Sequence, residues 1–490
     1  MSAETTSDAR LPFDLSELRT RTVRGVAINS AFLILVEVMS LAQGLIVARV
    51  LGPSEIGLYG IVSITVMTLI ALKQVGIDEA YVQQDEADQE AEFQRAFTLE
   101  LGLSALFMAA ILIAAPILVA VYGDDRLLLL TIAVSYLPIA FALQAPLWIF
   151  FRRMDFIRQR SLQSLVPIVT FAVTVPMVLA GVGVWSLVVG AAAGNLASVV
   201  MSIWLSPYRL RLRFDRVAAR RYLAFSWPIF VVTACGLVIN QGQVLALKLH
   251  GGLVGAGFIA LAVTLTRYAD RADRVVSPTI YPAICAVRDR GDTLVQIFSA
   301  AARSTAVWAL GLGALFVLFA PDLVQFALGS KWEGATVLLQ GLAASAALYQ
   351  FGFTWIAFAR ALGRTRPPAL EAVVAVIGFL VLAIPALAIW GQTEFVIALG
   401  ISALGVLAVR RYWIRQLLPG VPLSRLAFRA LWPLVPAAAA PLAIRFALWG
   451  GHRSLGQAIA ELIAFLVTYA AATYVAERGL VRELRQAARV

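Results

Sequence analysis

Arg267, Asp270, Arg271 and Arg274 stand at i, i+3, i+4 and i+7 within an otherwise apolar stretch. On a helix these four line one stripe about 100° wide. Guanidinium groups bind phosphate oxygens bidentately, so a cationic stripe suits a phosphate or pyrophosphate. Asp270 can hold the arginines while no anion is present. Charges inside a bilayer are costly and normally face a cavity. Arg267 lies fourteen residues beyond Leu253, about 21 Å along a helix at 1.5 Å per residue. That depth falls in the cytoplasmic half of a span. A second reading stays open: the span ends near Asp270 and the stripe belongs to a cytoplasmic interface. Pro278 and Pro282, in the apolar run that follows, allow both.

Glu37 sits near the middle of another apolar run, with Asn29, Ser40 and Gln43 also polar. An isolated mid-membrane carboxylate suits proton or cation coupling; a hydrogen bond to a neighbouring helix is the alternative. Asn240, Gln241 and Gln243 are neutral polar groups suited to sugar hydroxyls, or equally to helix–helix contact. Arg303 is a candidate second cation from the C-terminal half. Glu371, Arg445 and Glu461 read as local pairs or as side chains reaching an interface. Asp85, Glu86 and Asp88 imitate a metal-binding cluster but read better as a solvated amphipathic connection, because no second acidic cluster completes a two-metal site. Cys235 and Cys285 lie in apolar stretches, and His250 and His452 in short connections, so neither a disulfide framework nor a transition-metal site is expected. No glycine-rich loop ends in Lys-Ser or Lys-Thr, so ATP is not the expected energy source. No cofactor is expected, and an H+ or Na+ gradient is the candidate driving force.

The elements that must carry these groups are legible in bulk composition. Of 490 residues, 60% are hydrophobic and 14% charged, with mean hydropathy +0.83. Soluble domains hold about 45–50% apolar and about 25% charged residues. A soluble enzyme, a disordered chain and a disulfide scaffold are thereby excluded. A helical span needs roughly 20 apolar residues, and the sequence offers fourteen such runs, among them 25–48, 222–247, 253–275 and 294–319. They are continuous rather than alternating, which excludes a closed β-barrel. The fold class is therefore all-α and polytopic, with about fourteen transmembrane helices. The first twenty residues lack an apolar core, so no cleaved leader is expected and the first span directs insertion.

Charge placement orients the chain. With the N-terminus inside, cytoplasmic segments hold 30 Lys and Arg and external connections 5. Both termini are therefore expected in the cytoplasm. The net charge of +11 falls in short clusters between spans, a topology signal rather than a nucleic-acid footprint. External connections are too short for a catalytic domain.

An internal repeat is also present. Arg49-x-x-Gly52 with Tyr59 matches Lys248-x-x-Gly251 with Phe258 at an offset of 199. Pro116-x-Leu118-Val119 matches Pro321-x-Leu323-Val324 at 205, and Trp148-Ile149-x-Phe151-x-Arg153 matches Trp355-Ile356-x-Phe358-x-Arg360 at 207. The repeat covers six helices, so both copies cross in the same sense, as in parallel repeats related by an axis along the membrane normal. The expected organisation is an N-terminal segment 1–24, a first lobe 25–205, a basic linker 206–221, a second lobe 222–417, two further helices within 426–477 and a basic tail 478–490.

Val47-Ala48-Arg49-Val50-Leu51-Gly52-Pro53-Ser54-Glu55-Ile56-Gly57-Leu58-Tyr59 resembles the signature joining the first two helices of Wzx-type polysaccharide flippases, in the multidrug/oligosaccharidyl-lipid/polysaccharide exporter superfamily. Gly76-Ile77-Asp78-Glu79-Ala80-Tyr81-Val82-Gln83-Gln84 resembles the family's segment after the second helix. Phe151-Arg152-Arg153-Met154-Asp155-Phe156 resembles its basic-aromatic loop, and Gly329-Ser330-Lys331-Trp332 its turn before the tenth helix. The resemblance covers about residues 20–420. It departs at Gln241 and Gln243, where many relatives carry an acid.

The resemblance implies a two-lobed transporter, not an enzyme, which moves a polyprenyl-pyrophosphate-linked oligosaccharide across a bacterial inner membrane by alternating access, for surface polysaccharide synthesis. Its expected partners are that substrate, membrane lipid and a polysaccharide polymerase; the chain is expected to act as a monomer. Alternatives are a peptidoglycan-precursor or multidrug exporter of the same superfamily, or a membrane-embedded glycosyl- or phosphotransferase, which would need Asp85, Glu86 or Asp88 and Mg²⁺.

Overall fold

The computed structural model describes residues 36–73, 77–84, 88–153, 155–216, 227–271, 273, 276–277, 280, 284, 290–364, 366–449 and 454–477. Among these residues the regular structure is helical, with no strand. Among the described residues twelve helices are long and apolar enough to cross a membrane. One of them, Trp227–Thr266, leaves helical geometry at Gly251 and at Gly252 (φ 64°, ψ −157°). It therefore holds two spans, α7 (227–250) and α8 (253–266). The left-handed φ at Gly252 is open to glycine at little cost, which explains this residue at so tight a turn. The described part of the first expected span is a helix at 36–50 (α1). With it a described helix lies in each of the fourteen apolar runs.

The others are α2 (Pro53–Lys73), α3 (Gln89–Tyr122), α4 (Arg126–Arg152), α5 (Phe156–Leu179), α6 (Trp185–Trp204), α9 (Gly291–Asp322), α10 (Ser330–Ala361), α11 (Arg366–Ile389), α12 (Gln392–Leu417), α13 (Leu423–Ala447) and α14 (Leu455–Ala476). The repeated motifs occupy matching places. Pro116 and Pro321 lie inside α3 and α9. Trp148 and Trp355 lie in short helices that resume after breaks in α4 and α10, at 144–145 and 351–354. Asp88 is the N-cap of α3, its carboxylate accepting from Ala91 N–H at 3.0 Å. Asp85 and Glu86, the rest of the expected acidic cluster, lie outside the described residues.

Apolar packing differs between the two membrane faces. Toward the arginine-poor face, one continuous core joins both copies of the repeat: Leu58, Ile61 and Val66 of α2 and Ile111 of α3 with Val244 and Leu247 of α7, Ile259 of α8 and Trp332 and Leu338 of α10. Toward the basic face the described residues of the two halves form separate cores. Tyr81, Phe93, Phe97, Ala145 and Ile149 form one. Ile284, Phe298, Ala302, Trp355, Phe358 and Ile414 form the other. The two have no residue in common.

α2 and α8 approach closely through small residues. A Cβ at Gly57 would stand 2.2 Å from the Leu253 carbonyl oxygen, and one at Gly257 1.9 Å from that of Pro53. Small residues of this kind let membrane helices pack backbone to backbone.

Candidate functional site

The polar stripe of α8 begins where its winding changes. Arg267–Asp270 form a 3-10 turn. The Tyr268 carbonyl accepts from the Arg271 backbone N–H that closes this turn and also from the Trp308 indole of α9, which donates to it at 2.9 Å. The expected stripe then divides. Arg267 is exposed. Asp270 turns toward α10, where the Gln350 amide donates to it in a short hydrogen bond. Arg271 turns toward α1, where its guanidinium meets the Glu37 carboxylate at 3.1 Å and lies 5.4 Å from the centre of the Tyr268 ring. Arg274 lies outside the described residues.

Glu37 is eleven residues before Ala48 in the last turn of α1, about 17 Å along a helix, past the midplane of a bilayer about 30 Å thick. Yet the Glu37 and Arg271 side chains are 28% and 39% exposed. Charges at this depth normally turn away from hydrocarbon; the Glu37 Oε2 and Arg271 Nε atoms are covered, and the rest of each side chain is partly exposed.

Several charged pairs among the described residues lie within one half of the chain or at its last two helices. Lys73 of α2 meets Glu100 and Ser104 of α3. Arg445 of α13 meets Glu461 of α14 at 2.9 Å. Arg303, expected as a second cation of the site, binds Glu477 at 3.1 Å and the Ser299 carbonyl instead, so the structure does not bring it to Arg271. Length explains this: Arg303 is thirteen residues into α9 and close to the end of α14. Glu37–Arg271 joins the two halves.

The amides of α7 divide as well. Asn240 donates to the Gly236 carbonyl of its own helix at 2.8 Å, the usual satisfaction of a lone polar group. Gln241 reaches the Thr65 hydroxyl of α2 at 3.0 Å, again between the halves. Gln243 is buried.

Two groups that support the site have weak signals in the sequence. Gln350 ends the first segment of α10, just before the break at 351–354. Arg410 of α12 clamps that break, donating to the Tyr349 and Phe351 carbonyls at 2.5 and 2.6 Å. It is held by Glu371 of α11 at 2.6 and 3.2 Å and lies near the rings of Tyr349 and Phe353. Both carbonyls flanking Gln350 are thus fixed by one buried cation. Counting basic residues by side places Arg410, with Arg411 and Arg415, and also Lys73, in cytoplasmic connections; the structure buries both Arg410 and Lys73.

At the arginine-poor face the halves are joined by backbone carbonyls. Trp332 donates to Ala48 O at 2.7 Å, Lys331 to Val50 O at 3.1 Å and Arg49 to Ala327 O at 3.5 Å. The described residues offer no group of three or more metal-ligating side chains.

Comparison with known proteins places this geometry. A curated relative, the succinoglycan biosynthesis transport protein ExoT of Rhizobium meliloti (strain 1021), is 24% identical over 468 residues, 91% of each chain. The lipid II flippase MurJ in an inward closed conformation superposes with a TM-score of 0.67 at 12% identity, covering 93% of this chain and 100% of that one. An inward-facing multidrug resistance MATE transporter of the MOP superfamily gives 0.65 at 16% identity, covering 77% and 94%. The fold is thus that of MOP-superfamily transporters, and the chain is a multi-pass membrane protein. Residues 46–337, more than half of the chain, match a family described as polysaccharide biosynthesis protein. On that match the chain belongs to the polysaccharide biosynthesis protein family.

Proposed function

We propose that the protein moves a polyprenyl-diphosphate-linked oligosaccharide across the bacterial inner membrane by alternating access, with its basic face in the cytoplasm. The observation that carries this reading is the Glu37–Arg271 pair: a half-exposed ion pair at membrane depth that bridges the two halves. A diphosphate entering from the basic face competes with Glu37 for Arg271, with the exposed Arg267 beside it. Glu37 is then released to take a proton or a cation, which links substrate binding to an ion gradient. The two separate cores at the basic face leave the halves room to part there, while the carbonyl contacts at the other face keep that side shut. The sugar is sheltered between the halves and the lipid tail stays in the bilayer. The printed name of the curated relative, a succinoglycan biosynthesis transport protein, agrees with this substrate class.

The test is reconstitution in liposomes with a fluorescent polyprenyl-diphosphate oligosaccharide, measuring head-group accessibility from the opposite leaflet without ATP. Protein-dependent crossing is expected, with Arg271→Ala and Arg267→Ala abolishing it while the protein still folds and inserts. Glu37→Gln should remove dependence on an imposed H+ or Na+ gradient. Normal transport by both arginine variants would overturn the site. Crossing of lipid II in place of the oligosaccharide would reassign the substrate to a peptidoglycan precursor.

A further inference from the structure

Beyond α6 the chain leaves its last helical turn at Trp204, which is 75% exposed, and residues 209–215 carry no helix. Side chains of α3 hold this strap by its backbone. Arg209 N–H donates to Glu90 Oε1 at 3.2 Å, Gln94 Nε2 donates to Arg209 O at 3.1 Å, and Arg213 N–H donates to Thr98 Oγ1 at 2.7 Å. Asp215 lies 3.5 Å from the Arg95 guanidinium. From Arg209 to Arg213 the contacts advance along α3 from Glu90 to Thr98, toward its apolar stretch, before Asp215 turns back to Arg95. The strap therefore climbs toward the bilayer instead of leaving it.

Its composition alternates: Arg209, Leu210, Arg211, Leu212, Arg213, Phe214. Successive side chains of an extended segment point to opposite faces. Leu210 packs on the core of Tyr81 and Phe93. Leu212 and Phe214 are 70% and 74% exposed, and Arg209, Arg211 and Arg213 are exposed as well. Non-helical backbone is tolerated at membrane depth only where its polar groups find partners, and α3 supplies three. Apolar side chains on one row and arginines on the other are the composition of a segment lying in an interface, apolar groups down and cations among the head groups. Charge selects the partner, because guanidinium groups pair with phosphate and basic segments beside a membrane are drawn to anionic lipid.

We propose that the 209–214 strap binds anionic phospholipid in the leaflet of the basic face, Leu212 and Phe214 entering the acyl boundary and Arg209, Arg211 and Arg213 holding the head groups. The strap belongs to the connection between α6 and α7, so this contact ties the joint between the two halves to the membrane surface.

The test uses the full-length protein in nanodiscs of phosphatidylcholine, with or without phosphatidylglycerol. Cys235 and Cys285 are replaced by serine and a bimane fluorophore is attached at Phe214→Cys. Brominated acyl chains should quench the probe, more strongly with phosphatidylglycerol present. In native mass spectrometry each of Arg209→Ala, Arg211→Ala and Arg213→Ala should lower the preference for bound phosphatidylglycerol roughly fivefold. The Arg211→Lys, Arg213→Lys double variant should keep it, since head-group attraction needs charge rather than a fork. A water-exposed probe in both lipid compositions would overturn the proposal. So would a lipid preference untouched by the alanine variants. Displacement of phosphatidylglycerol by excess inorganic phosphate would make the strap a free-anion site and overturn it too.

Discussion

Two ion pairs, Glu37–Arg271 and Glu371–Arg410, have similar chemistry and opposite settings. The second is 1–2% exposed, and its guanidinium also satisfies two backbone carbonyls. Removing one partner of such a pair strands a buried charge and costs about 3–5 kcal/mol. The first is 28–39% exposed, and exposure to solvent reduces an ion pair to roughly 0–1 kcal/mol. On the proposed function the first is the pair that a ligand exchanges within a transport cycle. Arg410→Ala should therefore lower the thermal unfolding temperature of the detergent-purified protein sharply, whereas Glu37→Gln should leave it near wild type and act on transport alone. Equal, small losses of stability in both variants would remove the distinction. Gln350 follows from the same pair: with both flanking carbonyls held by Arg410, its amide is fixed toward Asp270, and the Arg410 variant should weaken transport beyond its effect on protein amount.

At the scale of helices, α2 and α8 approach backbone to backbone. Gly57→Ala and Gly257→Ala each place a Cβ within about 2 Å of a carbonyl oxygen, so the helices must separate. Each variant should raise thiol-reagent labelling of a cysteine at Ile56 over the same cysteine in the unmodified background; unchanged labelling would mean that α2 and α8 do not close this face. Helix number, the hairpin at Gly251–Gly252 and the repeat were readable in the sequence, because apolar run length and motif order are local properties. The Arg267–Arg271 stripe and Glu37 were readable for the same reason: a charge in a twenty-residue apolar run is conspicuous. Their pairing was not, since Glu37 and Arg271 lie 234 positions apart and only the packing of α1 on α8 joins them. Arg303 shows the converse, a conspicuous charge whose partner, Glu477, lay at the end of the final span. Arg410 stands beside Arg411 and Arg415 near the end of a run, where composition does not distinguish the one that turns inward.

For the whole molecule, the asymmetry between its two faces is the consequential feature. One core crosses between the halves at the arginine-poor face, and two independent cores lie at the other. Such a body can part at the basic face without exposing its shared core, but parting at the opposite face must break that core and the carbonyl contacts of Trp332 and Lys331. Transport in either direction needs both partings. Cysteines introduced at Val50 and Lys331, joined by a short cleavable cross-linker, should leave the Arg271 site reachable by water-soluble thiol reagents through a cysteine at Tyr268. They should nevertheless stop head-group crossing, and cleavage of the linker should restore it. Continued crossing by the linked protein would mean that the halves do not separate at this face, and a path through one half alone would then have to carry the head group.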